Sequence, residues 1–249
     1  MPLMPEIGWN LVTARAEEVL AGLPDASVDL VLSDPPFAPE THKGARTNRG
    51  GTPNNRIAFS PFVYADLRRY LEQAARVARA WVVTHTDWRW MARLAEDVPP
   101  GLRFVRSGAW FKVAPTPQVS GDRPAQGWEA IAILHVDRPG RMRWNGGGLP
   151  ATWTCAPAKG RKGARETHET EKPLPLEAQL IREFSNPGDS VLDPYCGAGT
   201  IPLAAVQLGR RALGCDINHE WVKVGYVRLA LHGTAPPPAP LRTSPKGRW

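Results

Sequence analysis

The chain has 249 residues, 42% hydrophobic and 22% charged, a balance that excludes a wholly disordered protein and suits one α/β domain. Lys plus Arg outnumber Asp plus Glu by 31 to 24, a formal charge of +7 that favours phosphate-rich partners without naming one. No apolar run reaches the about 18 residues of a membrane helix, no leader-like segment precedes Trp9, and Cys155, Cys196 and Cys215 have neither disulfide nor zinc spacing, so a cytoplasmic protein with no membrane segment and no metal is expected.

Asn10 to Ala14 predicts a first strand and Ala16 to Ala21 a short helix. Val28 to Leu32 (VDLVL) reads as a buried strand that runs into Ser33-Asp34-Pro35-Pro36-Phe37. Two successive prolines cannot continue a sheet, so the strand must stop there. An acid and an aromatic ring are left at its carboxyl end, where open α/β sheets bind ligands. Residues 38 to 62 read as a long loop rich in Gly, Pro, Asn and Arg, mobile over 38 to 60. Pro61 to Arg79 predicts a helix, Trp81 to Thr84 a strand and Trp88 to Ala95 a helix. Arg103 to Lys112 and Glu129 to His135 read as a hairpin-like pair at one sheet edge, with residues 113 to 127 as loop.

Residues 138 to 165 change character: seven basic residues, no acid, three successive glycines, and Trp144 and Trp153. They read as an insertion rather than a core element. Regular patterning resumes with a helix over Leu176 to Phe184, a strand over Ser190 to Asp193 and a glycine loop over Pro194 to Thr200. A helix over Ile201 to Leu208, a strand over Arg211 to Asp216 and a helix over Glu220 to Leu231 follow. One domain over 1 to 232 is expected, then a disordered, basic, Pro-rich tail over 233 to 249.

The strongest local signal is strand, glycine loop, helix, strand, acid. Gly197 and Gly199 let a ligand approach the backbone, and the next helix offers unpaired N–H groups. Asp216 ends the following strand 23 residues beyond Asp193, an offset typical of acids that bind ribose hydroxyls. The loop is shorter than a dinucleotide fingerprint, which favours a nucleoside ligand without pyrophosphate, such as S-adenosylmethionine. A plain strand–turn–helix with packing glycines is the alternative.

The tetrapeptide Asp34-Pro35-Pro36-Phe37 suits a different task. An exocyclic amino group is a poor nucleophile because its lone pair is delocalised into the base. A carboxylate accepting one N–H and a rigidly aimed carbonyl accepting the other would localise that pair, and Phe37 offers a ring face for an extruded base. An ordinary turn is the alternative reading of the tetrapeptide alone. Cys196 and Cys215 read as small packing residues, and His85 as a pocket or surface histidine.

In this order, DPPF followed far downstream by Val191-Leu-Asp-Pro-Tyr-Cys-Gly-Ala-Gly-Thr200 resembles the β class of amino-group DNA methyltransferases. Leu23 to Phe37, Arg76 to Val83, Trp110-Phe111-Lys112 with Glu129, and Glu171-Lys172-Pro173 after His168 extend the resemblance over most of residues 10 to 232. Tyr195 and Ala198 stand where the family often has Phe and Ser, and Asp216 where Glu is commoner.

The resemblance implies an α/β, Rossmann-like, S-adenosylmethionine-dependent methyltransferase fold, circularly permuted, with a mostly parallel sheet and helices on both faces. Asn10 to Ala14 should then lie beside the strand ending at Asp216. By position it assigns catalysis to Asp34, Pro35, Pro36 and Phe37. It assigns the cofactor to Lys172, Pro173, Asp193, Pro194, Tyr195, Cys196, Gly197, Gly199, Thr200 and Asp216. Double-stranded DNA is the implied partner, read by a recognition segment over 137 to 167 through Arg141, Arg143, Lys159, Arg161, Lys162 and Arg165. Lys43, Arg46 and Arg49 in the 38 to 60 loop are expected to add phosphate contacts. An Asp at the first motif position favours adenine N6 over cytosine N4. Cytosine N4, an RNA or protein amide, and a catalytically idle DNA-binding module are the alternatives. A homodimer and a cognate restriction endonuclease are left open.

Overall fold

Short aliphatic runs such as Val28–Ser33 and Ser190–Asp193, buried on both faces, form the centre of an eight-stranded mixed sheet. The computed structural model describes residues 4–6, 8–44, 60–115, 117, 121–158 and 171–242. In chain order the elements are β1 (Trp9–Thr13), α1 (Ala16–Gly22), β2 (Val28–Ser33), α2 (Pro39–Gly44), α3 (Tyr64–Val77), β3 (Ala78–Thr86), α4 (Trp88–Glu96) and β4 (Leu102–Lys112). They continue with β5 (Trp128–Val136), β6 (Thr152–Cys155), α5 (Leu174–Phe184), β7 (Ser190–Asp193), α6 (Thr200–Gln207), β8 (Arg211–Asp216) and α7 (His219–His232).

The strand order is β1-β8-β7-β2-β3-β5-β4-β6. All neighbours are parallel except β3 with β5 and β5 with β4. As the permuted order requires, β1 lies beside β8, with Thr13 opposite Asp216. The helices cover both faces. α1, α3 and α4 enclose one core around Leu67, Leu71 and Val82, and α5 and α6 enclose the other around Leu32, Ile131 and Leu180. Strand order reverses between β7 and β2, opening the crevice where ligands of doubly wound sheets bind. At the far end of those two strands Asp29 locks them together. Its Oδ2 accepts from the Ser190 amide at 2.8 Å and hydroxyl at 2.6 Å, and Arg79 pairs with Oδ1 at 2.9 Å. Burial works to raise the Asp29 pKa, but these Ser190 and Arg79 bonds outweigh it and leave it lowered.

Several sequence expectations are corrected. The predicted helix Pro61 to Arg79 occupies Tyr64–Val77, and β3 begins at once at Ala78, lengthening the predicted strand at both ends. The long loop opens with the short helix α2, whose Thr41 hydroxyl bonds the Asp87 carboxylate that caps α4. The β4–β5 pair is antiparallel but not at the sheet edge, because the supposed insertion supplies β6 outside it. Trp153 of β6 is a core residue at 1% exposure, and Trp144 packs against the same core beside Phe184, so residues 138–155 are not a loose insertion. The tail is not unstructured from Gly233: as far as Arg242 it lies along α5, where Leu241 N donates to Gln179 Oε1 and Arg242 pairs with Glu183 at 2.9 Å. Among the described residues no helix is long and apolar enough to cross a membrane.

Candidate active site

The carboxyl ends of β7, β2, β3 and β8 meet at one edge of the sheet, and the starting end of the antiparallel strand β5 joins them. That geometry brings Asp193, Asp34, His85, Asp216 and Glu129 together although they are far apart in sequence. Ser33, the last residue of β2, fixes the tetrapeptide from behind. Its hydroxyl meets the Tyr70 hydroxyl at 2.5 Å and donates to Thr84 Oγ1 at 3.2 Å, all buried. Asp34 and Phe37 emerge half-buried, Pro35 is buried, and the Phe37 carbonyl accepts from Phe62 N at 3.2 Å.

The glycine loop leaves β7 beside it. Gly197 and Gly199 have φ of +47° and +77°, and Gly199 is the N-cap of α6. A Cβ at Gly199 would lie 3.1 Å from Gly225 Cα on α7, so the close packing of that helix also requires glycine here. Asp216, half-buried at the end of β8, accepts from Gly197 N at 3.0 Å and Asn218 N at 2.8 Å, which holds this carboxylate against the loop. Asp193 is fully buried and accepts from Tyr195 N at 3.1 Å. Burial, reinforced by the Glu177, Asp34 and Asp216 carboxylates, pushes its pKa far up. Tyr195 packs edge-on to Phe62 and Tyr70. Thr200 opens α6, and Cys196 is buried, its thiol pKa raised by burial, which suits packing rather than nucleophilic attack.

The Glu171-Lys172-Pro173 segment joins the two motifs. Glu171 faces the glycine loop, accepting from Thr200 Oγ1 at 3.0 Å and pairing with Arg228 at 2.8 Å, while Arg228 also bonds the Ala198 carbonyl. Lys172, expected beside the cofactor, turns instead to the tetrapeptide. Its ammonium lies 2.7 Å from Asp34 Oδ2, 3.3 Å from Glu129 Oε2 and 5.2 Å from the centre of the Phe37 ring. Pro173 caps α5. Burial works to lower the Lys172 pKa, but Asp34 and Glu129 prevail and raise it. Burial of Glu129 would raise its pKa, yet Lys172 and then Lys112, 2.6 Å away, hold it at about 2.

Sequence reasoning gave His85 only a pocket or surface role and passed over Glu177. They form a pair at 2.9 Å with both side chains at 0% exposure. Burial disfavours the imidazolium, but the Glu177 carboxylate overrides it and raises the His85 pKa. The signal was present, since Glu177 is an acid on the apolar face of a predicted helix, but only the fold names its partner.

The DNA-contact residues are less fully placed. Arg141 and Arg143 are exposed, and the Arg143 carbonyl accepts from Trp81 Nε1 at 2.7 Å. Lys43 lies on α2, whereas Arg46, Arg49, Lys159, Arg161, Lys162 and Arg165 fall outside the described residues. Among the described residues no cluster of three or more His, Cys, Asp or Glu side chains could hold a metal. The crevice does fit a cationic nucleoside. The half-buried Asp34 and Asp216 carboxylates stand beside it, the glycine loop admits a flat ligand, and Asp216 offers oxygen acceptors to ribose.

Residues 28–227 match the DNA methylase family of N6 and N4 methyltransferases. Among curated relatives, the type II methyltransferase M.HinfI of Haemophilus influenzae is 25% identical over 85% of this chain and 66% of its own length, so the chain spans about two thirds of that relative. M.HpaI of Haemophilus parainfluenzae is 23% identical over 88% of this chain and 74% of its own. Among solved structures, the M1.HpyAVI complex with S-adenosylmethionine superposes with a TM-score of 0.67 at 20% identity, covering 89% of this chain and 98% of that one. The cytosine-N4-specific PvuII DNA methyltransferase gives 0.68 at 15% identity, covering 89% and 86%. The Thermus thermophilus protein TTHA0409, complexed with S-adenosylmethionine, gives 0.59 at 25% identity, covering 90% and 94%. A family match over most of the domain, on a sheet carrying both motifs at one crevice, establishes that this chain belongs to the DNA methylase family of N6 and N4 methyltransferases.

Proposed function

We propose that the protein transfers a methyl group from S-adenosylmethionine to the exocyclic amino group of a base flipped out of double-stranded DNA, adenine N6 by preference. The observation that carries this reading is the convergence of Asp34 and the Gly197–Asp216 cradle on the crevice between β7 and β2. S-adenosylmethionine, when bound, supplies an electrophilic methyl on a cationic sulfur, and the acidic crevice suits that charge. Gly197, Gly199, Thr200 and the Asp193–Cys196 turn line its cradle, with Asp216 taking the ribose hydroxyls.

On the other side of the crevice, Asp34 accepts one amino N–H and the Pro35 carbonyl the second. This draws the nitrogen towards tetrahedral geometry and frees its lone pair. Phe37 stacks on the base, and Pro36 keeps the turn rigid. The N–CH3 bond forms as the S–CH3 bond breaks, with S-adenosylhomocysteine leaving and the surplus amino proton passing to the Asp34 carboxylate or out to water. Positioning in line supplies much of the rate. Arg141 and Arg143 are the described candidates for phosphate or base contacts, with Lys43, Arg46, Arg49, Lys159, Arg161, Lys162 and Arg165 completing the basic surface. The type II relatives support a cognate restriction endonuclease as functional partner.

The Asp at the head of the tetrapeptide supports adenine. Cytosine N4 is the second reading, favoured by the fold shared with the PvuII enzyme. Asp34→Ala should lower DNA methylation by on the order of 10²–10⁴-fold while S-adenosylmethionine binding, measured calorimetrically, persists. Undiminished transfer by that variant would overturn the mechanism.

A further inference from the structure

The Lys172 ammonium stands on the two groups assigned to the target base. It donates to Asp34 Oδ2 at 2.7 Å and lies 5.2 Å from the centre of the Phe37 ring. A cation on a carboxylate and an aromatic face has the same partners as an amino-bearing base held by Asp34 and stacked on Phe37. Two further atoms give this arrangement a second state. Asp34 Oδ1 is buried with no hydrogen-bond partner among the described residues, and so is Glu129 Oε2, which faces Lys172 at 3.3 Å. The other Glu129 oxygen is already held by Lys112 at 2.6 Å, so Glu129 is anchored and ready to receive a second cation.

We infer that Lys172 is a placeholder for the target amino group: it fills the seat between Asp34 and Phe37 in the free protein and gives it up to the flipped base by moving onto Glu129. The inference rests on the proposed DNA amino-methyltransferase activity and adds a positioning residue to it. In the free protein the placeholder neutralises a half-buried carboxylate that would otherwise be left uncompensated. When the base arrives, the charge is not expelled to solvent; it moves by roughly one hydrogen-bond length to a carboxylate already in contact. Glu171 and Pro173 fix the backbone on either side, through Thr200 and the start of α5, so the motion is confined to the lysine side chain.

Two substitutions give the test a sign. Lys172→Met empties the seat, whereas Lys172→Arg keeps the charge but fills the seat with a larger, forked cation that grips Asp34 through two donors. The experiment measures kcat and KM for unmethylated genomic DNA with labelled S-adenosylmethionine, alongside cofactor binding and thermal melting of each variant. The expected result is that Lys172→Arg raises KM for DNA at least tenfold and is the worse of the two. If charge in a static ion network is what matters, Lys172→Arg will outperform Lys172→Met, and the inference is overturned. Should Lys172→Met fail to fold, Glu129→Gln carries the test. Weakening the retreat site should raise KM for DNA several-fold with cofactor binding preserved, and an unchanged KM would overturn the inference. Absence of DNA methylation by the parent protein would instead remove the activity reading itself, and the inference with it.

Discussion

Lys112, Glu129, Lys172 and Asp34 form an alternating chain of charges along the active edge, and its strength depends on pH in a defined direction. Glu129 is held at about 2, below its ordinary 4.5, so its contribution to stability is fully present above pH 4.5 and is lost as pH falls towards 2. Melting curves of the parent and Glu129→Gln should therefore differ most near neutrality and converge in acid. A gap that widened on acidification would contradict the assigned pairing. Asp34, Gly197, Gly199 and Asp216 were legible in the sequence because each lies in a local pattern whose order implies its chemistry. The His85–Glu177 pair was not, because its members are 92 positions apart and meet only through the packing of α5 on β3. Lys172 was legible as a site residue, but its choice between cofactor and tetrapeptide depends on how the segment enters α5.

At the scale of elements, α5 explains most of what sequence patterning missed. Glu177, Gln179 and Glu183 are polar residues of types usually left to solvent, yet all are buried. Glu177 meets His85, Gln179 meets Leu241, and Glu183 meets both Trp153 Nε1 and Arg242. Gln179 and Glu183 thereby secure β6 and the tail, the two elements read as irregular. β6 escaped notice because its four residues, Thr-Trp-Thr-Cys, are embedded among Gly, Pro and Arg, and an edge strand buries only one side. Trp153→Ala should cost about 3–5 kcal/mol of stability, measured by denaturant unfolding, through the cavity it leaves and the lost bond to Glu183. Arg242→Ala should cost about 3 kcal/mol, because Glu183 at 3% exposure would lose its ion partner. A neutral result for either would mean that β6 or the tail is not part of the cooperative unit.

Across the whole molecule, the permuted order was legible because strand, loop and acid form a self-contained unit that keeps the same contacts wherever it stands in the chain. The pairing of β1 with β8 follows directly. Net charge acts at this scale as well. With a formal +7 and exposed Arg141 and Arg143, affinity for duplex DNA should fall steeply with salt, by on the order of 10³-fold between about 50 and about 200 mM. Filter binding across that range would test this, and salt-insensitive affinity would contradict a phosphate-tracking surface.

The most direct test of the central claim combines the purified protein, methyl-labelled S-adenosylmethionine and unmethylated double-stranded DNA, followed by nucleoside mass spectrometry of the digest. Labelled N6-methyladenine is expected, absent when Asp34→Ala replaces the parent. Labelled N4-methylcytosine would keep the chemistry and reassign the base, and a digest with no labelled nucleoside, from protein that binds the cofactor, would contradict the account.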